Sequence, residues 1–246
     1  MQFLNLCWAV WILLGGDKLG IDVSRKEIKY VLGRCPAEDI QRKLALLLPV
    51  DKNSARGGYM VRSLYFDTIY DRDYYDKVEG LERRQKIRLR IYSPGDSTAK
   101  LELKEKIGNN QRKRSEPVAR EDVPLMINRR YGELRDKYKS PFLQAVFYRM
   151  ETEYYMPKTI VEYTRLAFMN QTNEIRITID SSLKATEASF DLFSGQLSLS
   201  PILHPVVLEV KYTRFLLSYI KTALDMVDKT PVSVSKYCLG RRISIC

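Results

Sequence analysis

The sequence predicts an α+β fold, an antiparallel sheet accompanied by a few helices. Three observations predict it. Polar–apolar alternation recurs along the chain: Gln85 to Tyr92 puts Ile87, Leu89 and Ile91 on one face and Lys86, Arg88, Arg90 and Tyr92 on the other. Lys100–Lys104, Ile175–Asp180 and Val207–Lys211 repeat the pattern. Pro94-Gly95 and Gly108-Asn109-Asn110 separate such runs at hairpin spacing. Helical periodicity fills some intervals, as in Arg214–Val227, where Leu217, Ile220, Leu224 and Val227 share a face.

In order, residues 25–32 read as a first strand. Pro36–Leu48 reads as a helix, with Pro36 in its first turn and Ile40, Leu44, Leu47 and Leu48 facing a core. Gly57-Gly58 opens a strand, Tyr59–Asp67, and a tyrosine-rich helix spans 71–80. Strands follow at 85–93, 98–107 and 111–116, then a helical stretch at 120–139. Further strands are expected at 147–155, 159–168 and 174–180, with a short one near 186–191. The last strand, 206–213, precedes the 214–227 helix.

The chain has 246 residues, 45% hydrophobic and 29% charged, enough for one large β-rich domain with a substantial core. Its net charge of +11 favours phosphate-bearing partners or an anionic surface. The only histidine, His204, sits beside Pro205 as a turn residue, which argues against Ser-His-Asp chemistry and histidine-rich metal sites. Cys7, Cys35, Cys238 and Cys246 are scattered and read as free thiols of a reducing compartment. Residues 1–22 form an apolar segment and linker. Phe3–Leu14 is short for a bilayer span and lacks the positive start of a secretory signal. A membrane-surface anchor, or sequence upstream of the true domain, suits it better. The expected location is cytoplasmic, with possible membrane association through residues 3–14.

Lysine, arginine and glutamate share the polar strand faces. A half-exposed sheet would turn them to water. A closed barrel with helices outside would turn them inward, where charges need partners or a charged ligand. Neither a Gly-x-x-x-x-Gly-Lys-Ser/Thr loop nor a Gly-x-Gly-x-x-Gly fingerprint is present, so side chains would have to hold any nucleotide. Arg88 and Arg90, two apart on one face, can grip neighbouring phosphates through planar forks. A hard divalent ion needs carboxylate oxygens, for which Glu209 is the economical candidate, with Glu27 and Glu102 behind it.

The segments Glu27-Ile28-Lys29, Lys86 to Tyr92, Glu102-Leu103-Lys104, Tyr163-Thr164-Arg165, Ile175-Arg176, Leu208 to Lys211 and Ser235-Lys236-Tyr237, in that order, resemble the VTC domain. That is the polyphosphate polymerase domain of the vacuolar transporter chaperone family, a branch of the triphosphate tunnel metalloenzymes. The resemblance implies an antiparallel eight-stranded β-barrel tunnel over residues 23–243, helices packed outside. It implies an ATP–polyphosphate phosphotransferase using Mn2+ or Mg2+, with ATP and polyphosphate as partners. By motif it assigns catalysis to Arg88, Arg90, Lys104, Arg165 and Lys236. Phosphate binding falls to Lys29, Lys113, Tyr163, Arg176, Lys211 and Ser235, and the metal to Glu209, more weakly to Glu27 or Glu102.

Arg25 stands where related triphosphatases open Glu-x-Glu-x-Lys with an acid, which favours the polymerase branch. Hydrolysis of triphosphates, or non-catalytic binding of polyphosphate or nucleic acid, remain alternatives. The absence of an Arg-Gly-Phe-type signature argues against nucleic acid. Each residue also has an ordinary role open to it. Arg88 and Arg90 could line a solvated face, Glu209 could pair with Lys211, and Arg176 with Asp180.

Overall fold

The computed structural model describes residues 25–54, 57–108, 110–202, 206–225 and 230–245. The expectations for residues 1–22, for Cys7, His204 and Cys246, and for the end of the 214–227 helix lie outside these. The strands are β1 (Arg25–Leu32), β2 (Tyr59–Thr68), β3 (Arg83–Ile91), β4 (Thr98–Ile107), β5 (Asn110–Ala119), β6 (Tyr155–Asn170), β7 (Ile175–Thr186), β8 (Ser200–Pro201) and β9 (Val206–Thr213). The helices are α1 (Arg34–Leu47), α2 (Arg72–Val78), α3 (Val123–Ile127), α4 (Tyr131–Lys137), α5 (Pro141–Thr152), α6 (Ser218–Asp225) and α7 (Lys236–Ile245).

All pairings are antiparallel, in the order β1-β9-β7-β6-β2-β3-β4-β5, with β8 beside β7. The two ends of this path, β1 and β5, are not paired with each other, so the sheet is open where a closed barrel was expected. It is nevertheless strongly curled. Glu27 of β1 lies 3.8 Å from Lys104 of β4. Six strand spacings separate those strands, which in a flat sheet would be about 29 Å.

The alternation decides the two faces. Leu64, Phe66, Ile87, Leu89, Ile91, Leu101 and Leu103 point outward and are covered by α3, α4 and α5. Phe168, Ile177, Ile179, Leu208 and Val210 point outward on the other half, under α1 and α6. Helix α7 departs from the expectation that helices pack only outside. It lies on the inner face against Val61, Tyr65, Val161, Tyr163 and Val207. Gly240 permits the approach: a Cβ there would meet the Val161 Cγ2 at 2.7 Å.

Residues 141–152 are helical, where a strand was expected at 147–155. Ser140 caps the helix by accepting from the Phe142 amide, and Pro141 occupies the first turn, where its missing N–H costs nothing. Phe142, Leu143, Val146, Phe147 and Met150 then face the core. Thr186 ends β7 and residues 187–191 form no strand; the short partner of β7 is β8.

Candidate phosphate-binding chamber

Register places the charged positions on one face. Lys29 lies opposite Glu209 and Glu27 opposite Lys211. Arg176 lies opposite Lys211 and Thr178 opposite Glu209. Arg165 lies opposite both Asp180 and Tyr59. Tyr65 meets Arg88, and Ser63 meets Arg90. Lys86 faces Lys104, Arg88 faces Glu102, and Lys104 faces Lys113. Antiparallel partners point to the same side, so all of these line the inside of the curl. Thus Lys29, Lys86, Arg88, Arg90, Lys104, Lys113, Arg165, Arg176 and Lys211, joined by Lys236 of α7, face Glu27, Glu102, Asp180 and Glu209. Cations are in clear excess.

The carboxylates are shared. Glu102 takes Arg88 at 2.7 Å, Lys113 at 2.9 Å and Arg90 at 3.4 Å. Burial would raise its carboxyl, but Arg88 and Lys113 hold it below the usual range. The Arg88 guanidinium also donates to the Tyr65 hydroxyl at 3.0 Å. Asp180, fully buried, takes Arg165 through two bonds of 2.7 and 2.8 Å and Lys236 at 2.7 Å. Tyr163 supplies an aromatic floor for both, with Lys236 Nζ 4.8 Å and Arg165 Cζ 5.3 Å from its ring centre.

Glu27 and Glu209 form the second acidic centre. Lys29 lies 3.1 Å from Glu27 and 3.6 Å from Glu209, and Lys211 lies 3.6 and 3.3 Å from the same pair. Arg165 reaches Glu209 at 3.9 Å. Burial would raise the Glu209 carboxyl, but Lys29, a hydrogen bond with Glu27, Lys211 and Lys236 hold it well below the usual range. Among the described residues no three acidic, histidine or cysteine side chains converge as a ready metal cage. Two neighbouring carboxylates still fit a cation that takes its remaining ligands from water and substrate phosphates, as magnesium does. Glu102 stands apart from that pair in its own cluster of arginines and lysine.

The remaining expected residues are also located. Arg176 stands toward the rim, 3.3 Å from Asp51 and from the Tyr59 hydroxyl. It does not pair with Asp180, whose partners are Arg165 and Lys236. Ser235 accepts from the Cys238 amide at the start of α7 and from the Lys86 ammonium. Lys86 was not among the expected site residues. Among the described residues it has no carboxylate partner, and burial, against a pull from Cys238, together with Lys29, Lys77 and Lys104, brings its ammonium down to about 7. The alternation Lys86-Ile-Arg-Leu-Arg90 was the signal that could have included it.

A family model, the VTC domain, matches residues 24–245. The chain belongs to the VTC domain family. Its VTC domain is also similar in fold to a candidate adenylyl cyclase from Hippeastrum, described as having a dominant triphosphatase activity. That likeness has 12% identity and a TM-score of 0.53, covering 88% of this chain and 94% of that one. A candidate adenylate cyclase from Bacillus halodurans matches at 9% identity and TM-score 0.49, over 85% and 95% of the two chains. No curated protein matches the chain. Among the described residues no helix is long and apolar enough to cross a membrane.

Proposed function

We propose that this VTC domain is a polyphosphate polymerase, an ATP–polyphosphate phosphotransferase whose curled sheet acts as a tunnel. It moves the terminal phosphoryl group of ATP onto a growing chain. The observation that carries the reading is the cation surplus on a face curled until β4 meets β1. Such a surplus is costly away from water unless an anion completes it. A phosphate chain carries charge along its whole length and needs no shaped base pocket.

Phosphoryl transfer asks for in-line positioning and charge stabilisation more than for covalent help. Arg88, Arg90 and Arg165 present forks that can each bind two phosphate oxygens. Lys29, Lys104, Lys113, Lys211 and Lys236 add compact charges around them, and Arg176 waits at the rim. The carboxylates that hold these cations in the chamber keep them oriented for substrate. Glu209 with Glu27 would hold Mn2+ or Mg2+, which when bound draws charge from the substrate's phosphate oxygens. The mechanism requires no histidine.

Hydrolysis of a triphosphate in the same chamber is the second reading, supported by the activity described for the Hippeastrum protein. Arg25 in place of an acid weighs toward polymerisation. The test is incubation of the full chain with ATP and Mn2+ or Mg2+, followed by DAPI fluorescence, gel sizing and orthophosphate assay. Chain growth that disappears in Arg88→Ala is expected. Orthophosphate without chain growth selects hydrolysis, and binding without turnover at any metal concentration selects a binding module. The polymerase reading puts the domain in the cytoplasm, beside ATP, with residues 3–14 touching a membrane surface or membrane protein. Fractionation of the chain with and without those residues tests that part.

A further inference from the structure

The cationic face continues past the chamber. One strand repeat beyond Lys86 and Lys104, the next inward-facing pair is Arg84 and Lys106. Glu105, between the two lysines in sequence, turns to the other face and pairs with Arg149 at 3.2 Å and Arg114 at 3.7 Å. The segment leading into α7 runs alongside. Its buried Ser235 accepts from Lys86. Two residues earlier, the exposed Ser233 accepts from Lys77 of α2 at 2.6 Å, and its carbonyl does so at 3.2 Å. A lysine therefore stands against each serine as the segment passes from interior to surface.

Among the described residues none of Lys77, Arg84, Lys86 and Lys106 forms an ion pair. Their hydrogen bonds go to serines or, for Arg84, to the Leu81 carbonyl at 3.2 Å. Inside the chamber, by contrast, carboxylates are shared among several cations. Lys77 is close enough to Arg84, Lys29 and Lys106 that, after burial, their charge lowers its ammonium further. Stacking like charges without intervening acids is unfavourable in the empty protein, and an extended polyanion lying along them removes the penalty.

We propose that Lys77, Arg84, Lys86 and Lys106 form a distal subsite for linear polyphosphate, carrying the chain between the chamber and the surface past α2. The identity of the ligand rests on the polymerase reading. The track itself rests on strand register and on the absence of acid partners.

The test uses the full chain and a Lys77→Ala/Arg84→Ala/Lys106→Ala variant, with tripolyphosphate and a polyphosphate of tens of units as probes. Long-chain affinity should fall about tenfold or more, while tripolyphosphate affinity, which also reports folding, stays unchanged. The slope of log affinity against log salt should become shallower by roughly 0.7–0.9 per contact removed. Unchanged long-chain affinity, or an equal loss for both probes, overturns the proposal. So does an equal loss for a length-matched single-stranded oligonucleotide, which would make the patch a general polyanion surface. A wild-type chain that shows the length-dependent binding but makes no polymer from ATP refutes the polymerase reading and leaves the subsite standing.

Discussion

Replacing Asp180 by Asn should destabilise the empty protein and spare the ligand-bound one. Asp180 is fully buried and holds Arg165 by two bonds and Lys236 by one, at 2.7–2.8 Å. The amide keeps the shape but not the charge, leaving two cations facing each other. Breaking a buried pair by removing one partner costs about 3–5 kcal/mol. Asparagine can still accept one bond, so the low end, about 3 kcal/mol, applies. For a domain of this size each kcal/mol moves Tm by about 2–4 °C, giving a fall of about 6–12 °C. Tripolyphosphate supplies the missing negative charge, and a saturating ligand adds about 2.7 kcal/mol at a hundred times its Kd. At a fixed ligand concentration, a tenfold tighter Kd gives the variant about 1.4 kcal/mol more than the wild type, narrowing the gap to roughly half. Scanning fluorimetry with and without tripolyphosphate reads both quantities. Burial acts to raise the Asp180 carboxyl, but Lys236 and Arg165 lower it below its ordinary value. Its stabilisation is thus present above the unfolded carboxylate pKa and is lost as pH falls through the folded one. The gap should persist at neutral pH and close in acid. A Tm unchanged by the substitution, or a gap indifferent to ligand, refutes the reasoning.

Lys86, lowered to about 7 by burial first, binds fewer protons in the folded than in the unfolded chain between that value and the ordinary lysine range. Stability of the empty protein should therefore rise with pH across that window, and tripolyphosphate binding should take up protons there. Calorimetry in buffers of differing ionisation enthalpy should show the uptake, and Lys86→Met should abolish its share. Glu209→Gln should raise the metal concentration needed for turnover while leaving metal-free tripolyphosphate affinity equal or higher, because it removes an anion from the chamber. Titration of both ligands checks this, and a parallel loss of each would contradict the assignment. Gly240→Ala should cost about 1–3 kcal/mol by forcing α7 off Val161, read as a lower Tm.

The sheet was legible because alternation is a local property. Each of Ile87, Leu89 and Ile91 can be assigned to a face without knowing its neighbours. The cations between them therefore fall together on the opposite face by sequence pattern alone. Residues 147–155 misled because Val146, Phe147 and Tyr148 suit a strand. The stronger signal was Ser140-Pro141 as a helix start, with apolar residues at 142, 143, 146, 147 and 150. Helix α7 is hard to read from sequence because its apolar face is interrupted by Gly240 and because its partners lie on the charged side of the sheet. The Arg165–Asp180 pair lies across the short β6–β7 hairpin and depends on its register, which shifts between Glu162 and Thr164. Lys236 reaches Asp180 only because α7 turns inward, an arrangement set by contacts distant in sequence and not readable from local pattern.

That long-range arrangement explains how the chain tolerates its own charge. Glu102 is divided among Arg88, Arg90 and Lys113, Asp180 between Arg165 and Lys236, and Glu27 and Glu209 among Lys29, Lys211, Lys104 and Arg165. No carboxylate neutralises its partners completely, so each cation keeps capacity for a further anion. Full one-to-one pairing would make the empty protein more stable and leave nothing to attract phosphate. Removing the carboxylates would leave the cations repelling one another and free to swing out of position. Sharing lies between these extremes. It fixes the donors before substrate arrives, so little reorganisation remains when charge moves along the phosphates.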